Sequence, residues 1–308
     1  MIVVVCPGQG SQTPGFLSPW LELPAFKASM DEMQAASGID LIGYGTTADA
    51  DTIRDTAVAQ PLIVSAGASA FAAMLSGQSA SEAGITGVAG HSVGEITAAV
   101  VSGVMSADQG IKFVKTRGDA MAAAAALEVT SMAAVLGGDQ TAVEARLAEL
   151  GLEPANYNGG GQIVAAGSAE GIAALQAEPV AGTRVIPLQV AGAFHTRYMA
   201  PAVNELRTYS ESLTVQDPAV SLWSNNGGRK VSSGSEFLSL MVNQVSSPVR
   251  WDLCMAAMVE VGVTAMIELA PAGTLVGLAK RSMPGIETLA VKTPDNIDAA
   301  LSLINNHR

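Results

Sequence analysis

Ile85-Thr-Gly-Val-Ala-Gly-His-Ser-Val-Gly-Glu-Ile-Thr-Ala-Ala-Val-Val101 changes character at its centre. Ile85–Ala89 is a short apolar run that reads as a buried strand, and Glu95–Val101 reads as a helix. Between them stands Gly90-His-Ser-Val-Gly94, the G-x-S-x-G pattern of a sharp strand-to-helix turn. Such a turn exposes a strained serine, and bulky neighbours would collide with the flanking backbone, so glycine is needed on both sides. The helix that follows directs its first amides and positive dipole end toward charge developing beside Ser92. The stretch therefore predicts a strand–turn–helix unit with a serine nucleophile at its tip.

Outward from this unit the same alternation continues. Ile2–Cys6 is apolar throughout, as a strand covered on both faces should be. Further strands are expected at Ala219–Trp223, Ala265–Leu269 and Thr288–Val291. Helical patterns lie at about Pro61–Ser76, Glu95–Met105, Ala107–Ala125, Ser235–Val245 and Ala272–Ser282. Strands alternating with helices imply βαβ units and a mostly parallel sheet.

The middle of the chain has another rhythm. Ser131–Leu136 reads as a strand, Gln140–Leu150 as a helix, and Ala155–Tyr157 and Gln162–Gly167 as two strands joined by a glycine-rich turn. Ala169–Ala177 is helical and Arg184–Val190 is a last strand. The order β-α-β-β-α-β is the ferredoxin-like arrangement. The expected fold is α/β, a mostly parallel sheet domain built from residues 1–123 and 189–308 with a ferredoxin-like small domain, 124–188, inserted.

Composition removes several classes of function. Of 308 residues, 49% are apolar and 14% charged, too hydrophobic for a disordered chain. Sixteen basic against 28 acidic residues give a net charge of −12, which disfavours nucleic acid and anionic lipid as partners. Two cysteines, Cys6 and Cys254, provide no disulfide framework and fit a reducing, cytoplasmic setting. Three histidines and no HExxH or CxxC pattern make a metal site improbable. Pro7-Gly8 ends the N-terminal apolar run too early for a leader, and no basic segment precedes it. The longest uncharged stretch, Thr56–Ser81, is interrupted by Gln60, Pro61 and several serines, so it reads as a buried helix and no membrane is expected.

A serine hydroxyl needs a base within hydrogen-bond reach. His91 adjoins Ser92 and its side chain should leave the turn in another direction, while His307 is penultimate and expected to fray. His195, in Gly192-Ala-Phe-His-Thr196, is the remaining candidate. Asp252 or Glu268 could orient it, and so could a backbone carbonyl; the local pattern selects none of them.

Arg117 draws attention within Ile111-Lys-Phe-Val-Lys-Thr-Arg-Gly-Asp-Ala-Met121. It borders the apolar stripe of Ile111, Val114, Gly118 and Met121, where a guanidinium must snorkel, pair with a protein acid or meet an anionic ligand. The Gly8-Gln-Gly10 loop lacks the third glycine of a dinucleotide fingerprint, since position 13 is threonine.

Six segments in order carry a resemblance: Pro7-Gly-Gln-Gly-Ser-Gln12, Gly90-His-Ser-Val-Gly-Glu95, Arg117, Asn156-Tyr-Asn158 through Gln162, Gly192-Ala-Phe-His195 and Pro248-Val-Arg-Trp251. Over its whole length the chain resembles the malonyl-CoA:acyl-carrier-protein transacylases of fatty-acid synthesis. The resemblance implies a hydrolase-like larger domain and a Ser92–His195 dyad. It also implies an oxyanion hole from the amides of Gln9 and Val93, and the main-chain carbonyl of Arg250 as the group that holds His195. Relatives often carry glutamine at position 250, a difference that a carbonyl role would tolerate. By the same resemblance Arg117 binds the free carboxylate of a malonyl group, which a rigid guanidinium fork suits geometrically. Phe194 matches the malonyl-selective form of its motif, and Met121, Gln60, Asn158 and Gln162 match residues of the substrate cleft.

The implied partners are malonyl-CoA and holo acyl carrier protein, with no cofactor and no metal. Because carrier proteins are acidic, docking would use local cations, with Lys112, Lys115, Arg197 and Lys280-Arg281 as candidates. The competing readings are a serine thioesterase or esterase using water as acceptor, a non-catalytic binding subunit, and the malonyl-transferring subunit of a malonate decarboxylase complex.

Overall fold

Strand β1 (Ile2–Cys6) is buried along its entire length. The pleat sends Val3 and Val5 to one face, into a core with Trp251, Met255 and Leu275, and Ile2, Val4 and Cys6 to the other, into the larger core that contains Leu62 and Val114. A strand apolar on both faces must be covered on both, which is why this sheet is parallel and sandwiched between helices.

The structure, a computed structural model, describes residues 1–307. The other strands are β2 (Gly87–Gly90), β3 (Thr130–Gly137), β4 (Glu153–Gly159), β5 (Gln162–Ser168), β6 (Thr183–Leu188), β7 (Ser221–Trp223), β8 (Lys230–Val231), β9 (Val249–Arg250), β10 (Ala265–Glu268) and β11 (Glu287–Ala290). Helices α1 (Pro24–Ser37), α2 (Leu41–Thr46), α3 (Thr56–Met74), α4 (Gly94–Val101), α5 (Ala107–Ala125) and α6 (Gln140–Glu149) belong to the first half. They are followed by α7 (Ala169–Ala177), α8 (Ala200–Ser210), α9 (Gly234–Gln244), α10 (Trp251–Glu260), α11 (Thr274–Ser282) and α12 (Ile297–Asn306).

The six-stranded sheet runs β11-β10-β1-β2-β7-β8, parallel except for the edge strand β8. The second sheet runs β6-β3-β5-β4-β9. Its first four strands are antiparallel in the ferredoxin-like order, and α6 and α7 contribute to its own small core with Val143, Leu147 and Ile172. Strand β9 comes from outside that segment and lies parallel to β4, Asn156 opposite Val249 and Tyr157 opposite Arg250, so the later chain is stitched to the small sheet.

Capping decides two helix starts. Ser106 and Gln109 form a reciprocal capping box that begins α5 at Ala107, as the spacing predicts. Helix α3 starts at Thr56 rather than at Pro61, because the Asp55 carboxylate accepts from the Ala57 amide and opens the helix earlier. Alone among the described helices, α3 is long and apolar enough to cross a membrane, and most of it is buried inside the protein.

Candidate active site

The cleft lies at the C-terminal ends of β1 and β2, where loops leave a parallel sheet and ligands bind in α/β folds. Gly90 ends β2, and Ser92 follows with φ of 53°, left-handed backbone in a residue that has a Cβ. Such a conformation costs on the order of 1–3 kcal/mol and persists only where surroundings enforce it. Here the enforcement is visible. A Cβ on Gly90 would sit 2.0 Å from the backbone of Gly94, and one on Gly94 would sit 2.1 Å from the Cys6 carbonyl oxygen. Asn225 completes the clasp: its Oδ1 accepts from the Ser92 amide at 2.8 Å and its Nδ2 donates to the Gly90 carbonyl at 2.8 Å.

The Ser92 hydroxyl lies 2.7 Å from His195 Nε2. His195 Nδ1 lies 2.9 Å from the carbonyl oxygen of Gln244. A carbonyl only accepts, so Nδ1 carries the proton and Nε2 is left with the lone pair that faces the serine. The ring is 4% exposed, and its pKa is pushed down to about 3, first by burial and then by the charge of Arg117. It is therefore neutral at physiological pH and able to take a proton. Its own backbone is also left-handed, with φ of 62°, and its amide donates to the Val245 carbonyl.

The expectation that the Arg250 carbonyl holds His195 is corrected: the Gln244 carbonyl does. Arg250 belongs to β9, its amide donates to the Asn225 carbonyl, and its guanidinium spans Asp252 and covers the Tyr157 ring. The two acids considered as orienting groups are occupied elsewhere. Asp252 pairs with Arg250, and the Glu268 carboxylate accepts from the amides of Gly273, Leu275 and Val276 at the start of α11, each at 2.9 Å. His91 turns its Nε2 to Asn158, and burial lowers its pKa. The ring of His307 lies between Thr264 and Glu287 at the opposite, N-terminal end of the sheet, away from Ser92.

Arg117, 1% exposed, reaches the same cleft from α5. It donates to Gln60 Oε1 at 2.6 Å and to Gln244 Oε1 at 3.0 Å, and approaches Ser92 Oγ at 3.4 Å. Among the described residues no carboxylate pairs with it directly. Burial lowers its pKa to about 10, opposed by the charge of Glu95, so it remains a cation.

A cavity of about 450 Å³ joins these groups, lined by Gln9, Ser92, Val93, Arg117, Phe194 and His195 among others. Gln60 and Met121 line it as well, with Gln60 Nε2 3.5 Å from Met121 Sδ. Met132, Asn156 and Leu188 of the small sheet form the facing wall. The amides of Gln9 and Val93 find no acceptor among the described residues, and the Gln9 side chain is held on the Arg54 carbonyl. Asn158 and Gln162, expected in the cleft, are not part of its wall. Asn158 binds His91, and Gln162 sits at the glycine turn of the small sheet, accepting from Arg281. Asn156 lines the cavity instead, whereas Asn158 lies in the irregular stretch of the β4–β5 pairing between Tyr157 and Gly159. Among the described residues no group of three histidine, cysteine or acidic side chains could hold a metal ion.

Sequence reasoning missed three polar residues that build the site: Asn225, Gln244 and, within the elbow motif itself, the carboxylate of Glu95. Glu95 is buried, its pKa raised to about 7 by burial, and it accepts from the Asn225 amide and from Gln244 Nε2. Of the cations considered for docking, Lys112, Lys115 and Arg197 are each paired with a carboxylate: Asp108, Asp119 and Glu153.

A family model described as an acyl transferase domain matches residues 3–293. The malonyl CoA-acyl carrier protein transacylase of Mycobacterium tuberculosis is 46% identical over 308 residues, covering 98% of this chain and all of that protein. The crystal structure of MCAT from Mycobacterium tuberculosis superposes with a TM-score of 0.94 at 47% identity, covering 98% of this chain and 99% of that one. A malonyl-transacylase solved in complex with a type II PKS acyl-carrier protein superposes with a TM-score of 0.92 at 26% identity, covering 98% and 99%.

Proposed function

The chain belongs to the acyl transferase domain family, and we propose that it moves a malonyl group from malonyl-CoA to the phosphopantetheine thiol of acyl carrier protein through a malonyl ester on Ser92. The single observation that carries this reading is the pairing, in one cavity, of a serine on a neutral imidazole with a buried guanidinium that no described carboxylate contacts directly. A bare acyl-transfer site needs only the first; a buried cation beside it suits an acyl group that ends in a carboxylate.

The steps follow from the geometry. The malonyl carboxylate meets the Arg117 fork, which orients the thioester carbon toward Ser92 Oγ. As Oγ attacks, His195 Nε2 takes its proton, and the Gln244 carbonyl stabilises the imidazolium that forms through the Nδ1 proton. The developing oxyanion is met by the amides of Gln9 and Val93. Collapse of the tetrahedral intermediate expels the CoA sulfur, which receives the proton from His195. The carrier thiol then repeats the sequence in reverse: His195 takes its proton, the thiolate attacks the ester, and Ser92 leaves with the proton returned.

Phe194, 6% exposed on the cavity wall, limits space beside the acyl carbon, and a bulk preference of this kind discriminates one methyl by about 1–3 kcal/mol. Two buried, unpaired thiols, Cys6 and Cys254, and a CoA-linked substrate both suit the cytoplasm, where we place the protein.

Intact-protein mass spectrometry after brief exposure to malonyl-CoA tests the reading. The wild type should gain the mass of one malonyl group and lose it when holo acyl carrier protein is added, and Ser92→Ala should gain none. An adduct that persists on the alanine variant would refute the assignment of Ser92.

A further inference from the structure

Arg117 is surrounded by acceptors that are neutral. Gln60 and Gln244 satisfy its nitrogens through carboxamide oxygens, and a cation buried to this degree among neutral groups needs an anion somewhere near. The nearest acid is Glu95, one side chain away, and the N–H donors on both of its oxygens favour its ionised form. The Gln244 carboxamide bridges the two: its Nε2 donates to Glu95 Oε2 and its Oε1 accepts from Arg117 at 3.0 Å. Only this orientation of the amide works, because a flip would set the NH₂ against the guanidinium and the carbonyl against the carboxylate.

The other carboxylate oxygen of Glu95 accepts from the Asn225 amide, so the acid is fixed at both ends. Glu95 also lies in the first turn of α4, where a helix favours negative charge. Burial raises the pKa of Glu95 and lowers that of Arg117, and in each case the charge of the other opposes the shift.

We propose that Glu95 is a positioning residue, a counter-ion held one amide away from Arg117 so that the guanidinium stays charged and aimed while its ligand-facing edge is kept open for the substrate carboxylate. A direct ion pair would satisfy the cation equally well and would compete with that carboxylate for the same donors. Gln244 prevents this by separating the charges and passing the polarisation along, since linked hydrogen bonds in a dry site strengthen one another. The same residue offers its backbone carbonyl to His195, so one glutamine fixes both the acyl-selecting cation and the base. The inference rests on Arg117 as the malonyl-binding group.

The test compares malonyl-CoA with acetyl-CoA, which lacks the carboxylate, in the full-length enzyme. Glu95→Gln should lower kcat/KM for malonyl by about 10- to 100-fold, mostly through KM, and for acetyl by a clearly smaller factor. Glu95→Asp, which keeps the charge and loses the shape, should retain more of the malonyl preference than Glu95→Gln. Gln244→Glu, which sets a carboxylate directly on Arg117, should abolish the preference for malonyl. Equal losses for both substrates in Glu95→Gln would overturn the proposal and leave Glu95 as a support of the turn alone. If Glu95→Gln fails to fold, a malonyl preference undiminished in Gln244→Glu overturns it. Arg117→Ala is the control: if that variant keeps the malonyl preference, the reading of Arg117 fails, whereas its loss there with no change in Glu95→Gln sinks only the role given to Glu95.

Discussion

Helix α5 treats its cations in opposite ways on its two faces. On the outside, Lys112 and Lys115 each hold an aspartate one turn away, at 2.7 Å and roughly half exposed. On the inside, Arg117 is 1% exposed and donates to two carboxamides and a hydroxyl, with no direct carboxylate partner among the described residues. The outer pairs contribute little, because water already solvates both partners. The inner cation is where charge matters, and there the protein has withheld the obvious partner. On this helix direct pairing occurs where it stabilises least, and the buried cation is kept one carboxamide away from its nearest acid.

Three measurements would break or sharpen this contrast. Arg117→Ala should reduce kcat/KM for malonyl transfer by about two hundred- to five thousand-fold, the scale of about 3–5 kcal/mol for losing one member of a buried charge pair. Acetyl transfer should suffer far less, and equal losses would make Arg117 a structural residue.

The next effect is one of pH. His195 acts as a base only when deprotonated, that is above its pKa, and Arg117 helps hold that pKa near 3. Acetyl transfer by the wild type should therefore keep its kcat/KM well below the ordinary histidine range. In Arg117→Ala the ring loses its cationic neighbour, its pKa rises, and the acid limb should shift to higher pH. A limb at the same pH in both would show that the two groups do not sense each other.

The smallest effect belongs to the outer face. Asp108→Ala should cost under about 1 kcal/mol in urea unfolding, with the difference shrinking in high salt and malonyl transfer unchanged.

Much of this was legible in the chain itself. Ile2–Cys6, Ala107–Ala125 and Ala169–Ala177 have the expected boundaries because strong local signals set them: a five-residue apolar run, a capping box and a capping serine. Helices α1, α2, α8, α10 and α12 lie outside the helical patterns read from the sequence, since their apolar positions become meaningful only against partners distant in sequence. The site divides in the same way. Ser92, His195 and Arg117 stand out as residue types, one in a turn motif, one by elimination, one as a charge beside an apolar stripe.

Asn225 and Gln244 give no such signal. They act on Ser92 and Glu95 across separations of 133 and 149 residues, and an asparagine in a turn or a glutamine closing a helix looks ordinary until the chain has folded. The displacement of the histidine-holding carbonyl from Arg250 to Gln244 has the same origin. Six residues separate them, and only the path of the chain between α9 and β9 decides which carbonyl faces the ring.

The glycines that flank Ser92 carry a consequence for how such an enzyme can diversify. Backbone crowds them so closely that the floor of the pocket has no room to accept a new side chain, and the clasp of Asn225 leaves no slack beneath it. A descendant suited to a longer or branched acyl unit must therefore find its space in the ceiling, by trimming Met132, Leu188 or Phe194. The machinery that breaks the thioester stays fixed, and taste for the cargo is rewritten above it.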